Sequence, residues 1–264
     1  MKFSIIVVSL NAGNELCRTV ETILRQTYKE IEIIIKDGGS TDGSIEKLPI
    51  DERILIVSQK DYGIYDGMNQ GMSFATGDFV LFMNCGDGFY NEYVLEDCVD
   101  FVNRRDRENT IFYGDCYTVN RESIVRYPDF SDYLCFSMVL CHQATFYPAN
   151  LVKKRKFDTK YKIAADYEYY VHAYKHGIPL FHLPIIVAMY QGDGTSETVK
   201  NRRLALEERK KILKENYNRK EYRKTLIKTR LHGVGIKQFL VKQEWFYPFY
   251  KKVAELYYRK NSTK

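Results

Sequence analysis

Along the chain, apolar residues fall into short continuous runs that alternate with stretches apolar at every third or fourth position. The runs at 3–8, 31–35, 54–57 and 79–83 are rich in Ile, Val and Phe. Runs this short and β-rich, bounded by polar turns, predict strands buried on both faces of a parallel sheet. Between the first two, Leu16, Val20, Ile23 and Leu24 recur at the spacing of a helix packing one face on that sheet. Met68, Met72 and Ala75 repeat the pattern before the fourth run, and Leu95, Cys98, Val99 and Val102 repeat it afterwards. The order β-α-β-β-α-β-α predicts an α/β fold, a Rossmann-like layered domain on a mixed, mostly parallel central sheet.

The pattern changes at about residue 110. Ile111-Phe112-Tyr113-Gly114 and Ser123-Ile124-Val125-Arg126-Tyr127 flank an Asn120-Arg121 turn, as in a β-hairpin. A helix is predicted from about Asp166, with Tyr167, Tyr170, Val171 and Tyr174 on one face and Gly177 as its stop. A strand over 180–189 and a Gly192-Asp193-Gly194-Thr195-Ser196 loop follow, and beyond them the chain reads as helical, basic and aromatic.

Charge sharpens this division. Residues 200–264 hold 20 Lys and Arg against 6 Glu and no Asp, a net +14, whereas the whole chain carries +6 and residues 1–199 therefore −8. A mildly acidic body at 1–199 and a basic, aromatic helical C-terminal region at 200–264 are the domains this predicts. The 264 residues suffice for one large α/β domain with an appendage, and 45% apolar content with 22 Tyr and 15 Phe supplies an aromatic-rich core. The N-terminal run lacks a signal-peptide cleavage site, and no stretch reaches the roughly 18 consecutive apolar residues of a membrane span, so a cytosolic location is expected. The six cysteines show no C-x-x-C pair or metal-ligand spacing and read as reduced packing residues.

In an open α/β sheet ligands bind beyond the carboxyl ends of the strands. The polar residues just past each run are Ser9 and Asn11 after the first, Asp37-Gly38-Gly39-Ser40-Thr41-Asp42-Gly43-Ser44 after the second, and Asn84-Cys85-Gly86-Asp87 after the fourth. A carboxylate at a strand end can accept hydrogen bonds from a base or ribose. Hard oxygens in a tight Gly turn can meet a divalent ion on a diphosphate. Each motif also has a plain structural reading, as a Gly-rich loop with a helix cap or as an Asx-turn.

Taken in order, Ser4-Ile5-Ile6-Val7-Val8-Ser9-Leu10-Asn11, the 37–44 segment, Asp61-Tyr62-Gly63-Ile64-Tyr65-Asp66-Gly67-Met68-Asn69-Gln70-Gly71, Ala75-Thr76-Gly77-Asp78 and the Asn-Cys-Gly-Asp turn closely resemble the N-terminal half of family 2 inverting glycosyltransferases. The likeness covers residues 3–90 and continues more weakly to about 196. It implies a GT-A fold and is nearest to transferases of bacterial capsule, colanic-acid-like and O-antigen assembly.

The resemblance further implies that Asp37 contacts the nucleobase, that Ser9 and Asn11 line the nucleoside pocket, and that Lys60, Asp61 and Asn69 face the sugar or phosphates. Asp87 would hold Mg²⁺ or Mn²⁺, with Asn84 standing where the family has an acid, a weaker and neutral ligand. Asp166, in Ala164-Ala165-Asp166-Tyr167-Glu168, matches the second acid of the pair that supplies the catalytic base, and Ala165 replaces the first. As a plain structural element Asp166 would cap its helix. His142 and Gln143 fall in a segment similar to one beside the acceptor.

The expected partners are a nucleotide diphosphate sugar donor and a saccharide or lipid-linked saccharide acceptor. The basic tail, with Trp245, Phe246, Tyr247, Phe249, Tyr250, Tyr257 and Tyr258, suits an anionic membrane surface at the inner face of the cell membrane, and equally a solvated helix or an oligomer contact. The alternative function is a non-catalytic nucleotide-sugar-binding or assembly protein, motivated by Asn84 and Ala165. A dinucleotide site is excluded by the lack of G-x-G-x-x-G after the first strand, and a P-loop kinase by the lack of G-x-x-x-x-G-K-[ST]. No nucleic-acid-binding motif accompanies the basic tail.

Overall fold

A computed structural model describes residues 1–137, 140–192 and 198–231. The first four strands are those the apolar runs predict: β1 (Phe3–Ser9), β2 (Ile31–Asp37), β3 (Ile54–Ser58) and β4 (Phe79–Asn84). They lie in the order β3-β2-β1-β4, all parallel. The register sets Ser9 beside Asp37 and Val8 beside Asn84, so the three strands carry their last residues to one edge of the sheet.

Helices cover this half. In α1 (Asn14–Leu24), Leu16, Val20 and Ile23 are buried as their spacing requires. In α2 (Ile64–Gly71), Gly67 and Gly71, one turn apart, face β1. A Cβ would come within 2.8 Å of Val8 Cγ1 at Gly67 and 2.6 Å of Ile6 Cγ2 at Gly71. The two glycines therefore let the helix backbone approach the sheet closer than any side chain would permit.

The second half is joined differently. Two short antiparallel ladders join β4 to β8 (Thr145–Pro148) and β8 to β6 (Ile111–Thr118). The sheet continues through β9 (Leu180–Tyr190), parallel to β6, to the short β5 (Gly88–Phe89). The expected hairpin is present as β6 and β7 (Ser123–Val125) around a 3-10 turn at Val119–Arg121. The helices here are α3 (Val94–Val102), α4 (Asp132–Ser137), α5 (Ala149–Lys154), α6 (Ala165–Lys175), α7 (Val199–Asn216) and α8 (Arg219–Leu231). The sheet is mixed, with its parallel part in the four N-terminal strands and the β6–β9 pair, as in a Rossmann-like GT-A fold.

One expectation gives way to packing. Helix α6 does not bury a single apolar face: every residue from Ala165 to Val171 is buried, with α7 packed on it, Tyr147 of β8 against Tyr170 and Arg155 paired with Glu168. The tyrosines make this possible, since each hides an aromatic body while its hydroxyl finds a partner. Tyr147 and Tyr170 stack at 6.0 Å with their hydroxyls 2.5 Å apart, and Phe82, Phe157 and Tyr169 pack edge-on around Tyr147. Each such side chain contributes on the order of 1.5–3 kcal/mol by leaving water.

Packing continues past residue 199, where the basic C-terminal region is expected to begin. The basic helix α7 sends Ile212, Leu213 and Tyr217 into the common core. Tyr217 donates to Asp132 at 3.0 Å, and the rings of Tyr217 and Tyr222 both pack on Phe136. On α7, Lys210, Lys211 and Lys214 are exposed, whereas Glu208, Ile212 and Leu213 are buried. The Asp193-Gly194-Thr195-Ser196 part of the predicted loop, and the aromatic cluster from Trp245 to Tyr258, lie outside the described residues.

Candidate active site

The carboxyl edge of the parallel strands carries the first group of candidates. Asp37 ends β2 and is buried. Its carboxylate accepts from the Gly39 amide at 3.1 Å, the Ser40 amide at 3.0 Å and the Ser40 hydroxyl at 2.6 Å. Burial pushes its pKa up, but hydrogen bonds from Ser40, Ser58 and Gly39 outweigh that and hold it below the usual carboxylate range. Asp37 is thus an ionised acceptor that also shapes its own loop.

Asn11, in the left-handed region at φ 50, binds that loop from the other side. Its amide nitrogen donates to Ser40 Oγ at 2.8 Å, and its side-chain oxygen accepts from Thr41 N at 2.9 Å. Ser9 is buried between these strand ends, and its carbonyl accepts from Gly38 N at 2.8 Å. The Gly-rich loop and the candidate pocket are therefore one structure.

Beneath them lies a residue that sequence reading passed over. Lys36, the residue before Asp37, is fully buried and ends in an ammonium that donates to Asp61 Oδ2 at 2.9 Å, to the Gln59 carbonyl and to the Asp37 carbonyl. Those three acceptors use all three of its protons. The clamp fixes Asp61 against the 37–38 turn, where a Cβ on Gly38 would lie 3.0 Å from Asp61 Oδ2. A lysine inside an apolar strand run was the available signal. Lys60 is exposed beside this clamp.

Asn69 departs from the expectation of a donor contact. Its amide exchanges two hydrogen bonds of 2.9 Å with the main chain of Phe157, tying α2 to the segment that leads to α6. An amide in that reciprocal pairing works as a staple.

The turn after β4 carries the second group. Gly86, at φ 92, lets the chain double back so that the Asp87 amide reaches the Asn84 carbonyl at 3.1 Å. Asp87 is buried: Oδ2 accepts from Gln143 Nε2 at 2.5 Å and Oδ1 from the Gln191 amide at 3.1 Å. Asn84 Oδ1 is buried with no hydrogen-bond partner among the described residues. Burial raises the Cys85 thiol, between them in the turn, to about 11.

Among the described residues no three His, Cys, Asp or Glu side chains converge as a cation cluster. One carboxylate and one unpartnered amide oxygen still fit Mg²⁺ or Mn²⁺, whose shell can be completed by phosphate and water oxygens. The residues that would hold such an ion are Asp87 and Asn84.

The third group closes the site. A 3-10 turn at His142–Ala144 places two neighbouring side chains in opposite directions. Gln143 reaches Asp87, while His142 Nδ1 lies 3.4 Å from Asp166 Oδ2. Asp166 is the second residue of α6; the cap position is Ala164, so Asp166 is not the N-cap. Its Oδ1 accepts from the Tyr167 amide at 2.8 Å and lies 2.8 Å from the Tyr65 hydroxyl. Burial, with the nearby Asp166 charge, raises the Tyr65 hydroxyl well above its usual range, so Tyr65 remains a neutral donor. Oδ2 is thereby left facing His142.

The structure brings Ser9, Asn11, Asp37 and Asp61 together at the β1–β2 edge, and Asn84, Asp87, Gln143, His142 and Asp166 into one continuous run beside it. Tyr65 and Gln191, which sequence reading missed, supply links in that run.

Comparison with known proteins agrees with this fold. A mannosyltransferase from Pyrobaculum calidifontis, solved with GDP-Man and Mn²⁺, superposes with a TM-score of 0.69 at 16% identity, covering 99% of this chain and 83% of that one. S. aureus TarS 1-349 gives 0.62 at 19% identity over 87% of this chain and 70% of that one, and the chain spans 43% of the longer TarS chain. A PGL/p-HBAD biosynthesis glycosyltransferase of Mycobacterium bovis is 30% identical over 207 residues, 75% of this chain and 80% of the relative. Residues 4–176 match the description Glycosyl transferase family 2, and the chain therefore belongs to the family 2 glycosyltransferases.

Proposed function

We propose that the chain transfers a hexosyl group from a nucleotide diphosphate sugar to a hydroxyl of a saccharide acceptor, carried on a lipid in surface polysaccharide synthesis, with inversion at the anomeric carbon. The observation that carries this reading is the contact run Asp87–Gln143–His142–Asp166, which sets a diphosphate-side carboxylate and a base-side carboxylate on either side of one turn. Solved structures with GDP-Man and UDP-GlcNAc support the donor class, and a relative named as a PGL/p-HBAD biosynthesis glycosyltransferase supports sugar transfer.

In this reading Asp37 and the Ser9–Asn11 turn take the nucleoside, since both present acceptors at the strand edge. Lys36 keeps Asp61 in place beneath the sugar-phosphate. A divalent ion at Asp87 and Asn84 would neutralise charge developing on the leaving diphosphate. Asp166 Oδ2 takes the proton of the acceptor hydroxyl as its oxygen attacks the anomeric carbon and the bond to the diphosphate breaks. His142 orients that carboxylate or the incoming hydroxyl. Burial of both acids excludes water that would otherwise hydrolyse the donor.

Screening UDP-, GDP- and TDP-sugars with Mg²⁺ or Mn²⁺ by thermal shift identifies the donor, and proton NMR of the product reads its anomeric configuration. The expected product has the opposite configuration to the donor. Retention of configuration, or stabilisation by donors with no transfer to any saccharide, contradicts the proposal.

Association with an anionic membrane through 200–264 belongs to the same reading. Among the described residues no helix is long and apolar enough to cross a membrane.

A further inference from the structure

Helix α6 presents Asp166, yet it begins without a side-chain cap: Ala164 occupies the cap position. The chain entering the helix is held instead by a carboxylate from a distant element. Glu208, midway along α7 and buried, accepts from the Lys162 amide at 2.7 Å through one oxygen, and from the Ile163 and Ala164 amides at 3.0 Å each through the other. Three consecutive amides converging on one anion form the concave backbone arrangement that binds anions tightly. Ile163 is gripped at both ends, because its carbonyl lies 2.9 Å from the same Tyr65 hydroxyl that contacts Asp166. The next residue of α7, Arg209, lays its guanidinium over the Tyr167 ring, 4.8 Å from the centroid.

We infer that Glu208 is a positioning residue for Asp166, so that α7, from the basic C-terminal region, completes the base side of the site. The inference rests on the reading of Asp166 as base. A carboxylate suits this place better than a neutral amide, because all its lone pairs accept and no N–H is turned against the three donors. Loosening the 162–164 turn would shift the start of α6 and, with it, the aim of Asp166. Displacements of about an ångström at a reacting group can cost on the order of 100-fold in rate. The donor edge, built on β1, β2 and β4, is on other elements.

The test is Glu208→Gln in the full chain, assayed at a temperature where circular dichroism shows it folded, alongside Asp166→Asn. The expected result is a kcat lowered about 10- to 100-fold, an unchanged KM for the nucleotide sugar, and faster hydrogen exchange at the 162–164 amides. Glu208→Asp, which keeps the charge on a shorter arm, should recover part of the rate. If E208Q does not fold, Glu208→Asp is read alone, a lowered kcat at unchanged donor KM being the supporting outcome. Wild-type kcat in the folded variant, with Asp166→Asn inactive, overturns this inference and leaves the base assignment standing. Wild-type turnover in Asp166→Asn removes the base and this inference with it.

Discussion

The donor edge and the base side of the site are both held by hydrogen bonds, but of different reach. At the donor edge Asp37 bonds residues two and three positions away, strand register places Ser9 and Asp37 side by side, and the bonds between Asn11 and Thr41 and between Lys36 and Asp61 span 30 and 25 residues. On the base side Tyr65 reaches Asp166 across 101 residues and Glu208 reaches Ala164 across 44, while Gln143 ties this side to Asp87 across 56. The first region is shaped by its own loops on a rigid sheet. The second exists only once distant elements have docked, so its geometry depends on the packing of α2, α6 and α7 together.

Substitutions can break that contrast or sharpen it. Lys36→Met should have the largest effect on stability, about 3–5 kcal/mol, because it leaves Asp61 partly buried without its counter-charge. Urea denaturation measures the loss, and the donor KM should rise with it; a loss under about 1 kcal/mol would show the clamp to be dispensable. Gly71→Ala should cost about 1–3 kcal/mol by pressing a methyl group into Ile6, with kcat per folded molecule preserved. A fall in kcat instead would mean that α2 transmits strain from the donor edge to Tyr65 and Asp166.

On the other side, Gln143→Leu should cost about 1–2 kcal/mol by removing the donor from buried Asp87, and here transfer should fall further than stability.

The smallest effect is acid sensitivity at the far end of the sheet. Burial disfavours the charge on Glu32, yet hydrogen bonds from Lys2, Ser4 and Thr76 outweigh it and hold its carboxyl down at about 2. A carboxylate with a lowered folded-state value contributes stability that is present above its unfolded value near 4.5 and disappears as pH falls toward about 2. Glu32→Gln should flatten denaturation midpoints measured across that window while leaving them nearly unchanged in their slope above it.

The same difference in reach explains what could be read from residue order. The parallel strands, α1 and the 37–44 loop were legible because apolar periodicity and Asp, Ser and Gly turn chemistry act within a few positions. Asp87, Asp166 and the His142-Gln143 pair were recognised as candidates by resemblance, but no local rule links them. Asn69 looked like a donor contact because it lies in a motif, and became a staple because Phe157 docks beside it. Glu208 carries no local signal at all: in a helix rich in Lys and Arg it reads as a surface acid, and only the fold turns it toward three backbone amides.

The proposed division of labour gives Asp166 to the acceptor and Asp87 to the donor. Calorimetric titration of the nucleotide sugar, paired with single-turnover transfer in Asp166→Asn, separates the two roles. Donor affinity should stay within about twofold of the parent chain while transfer slows by about 10²- to 10⁴-fold. Transfer at the parent rate, or donor binding lost together with transfer, would rule that division out.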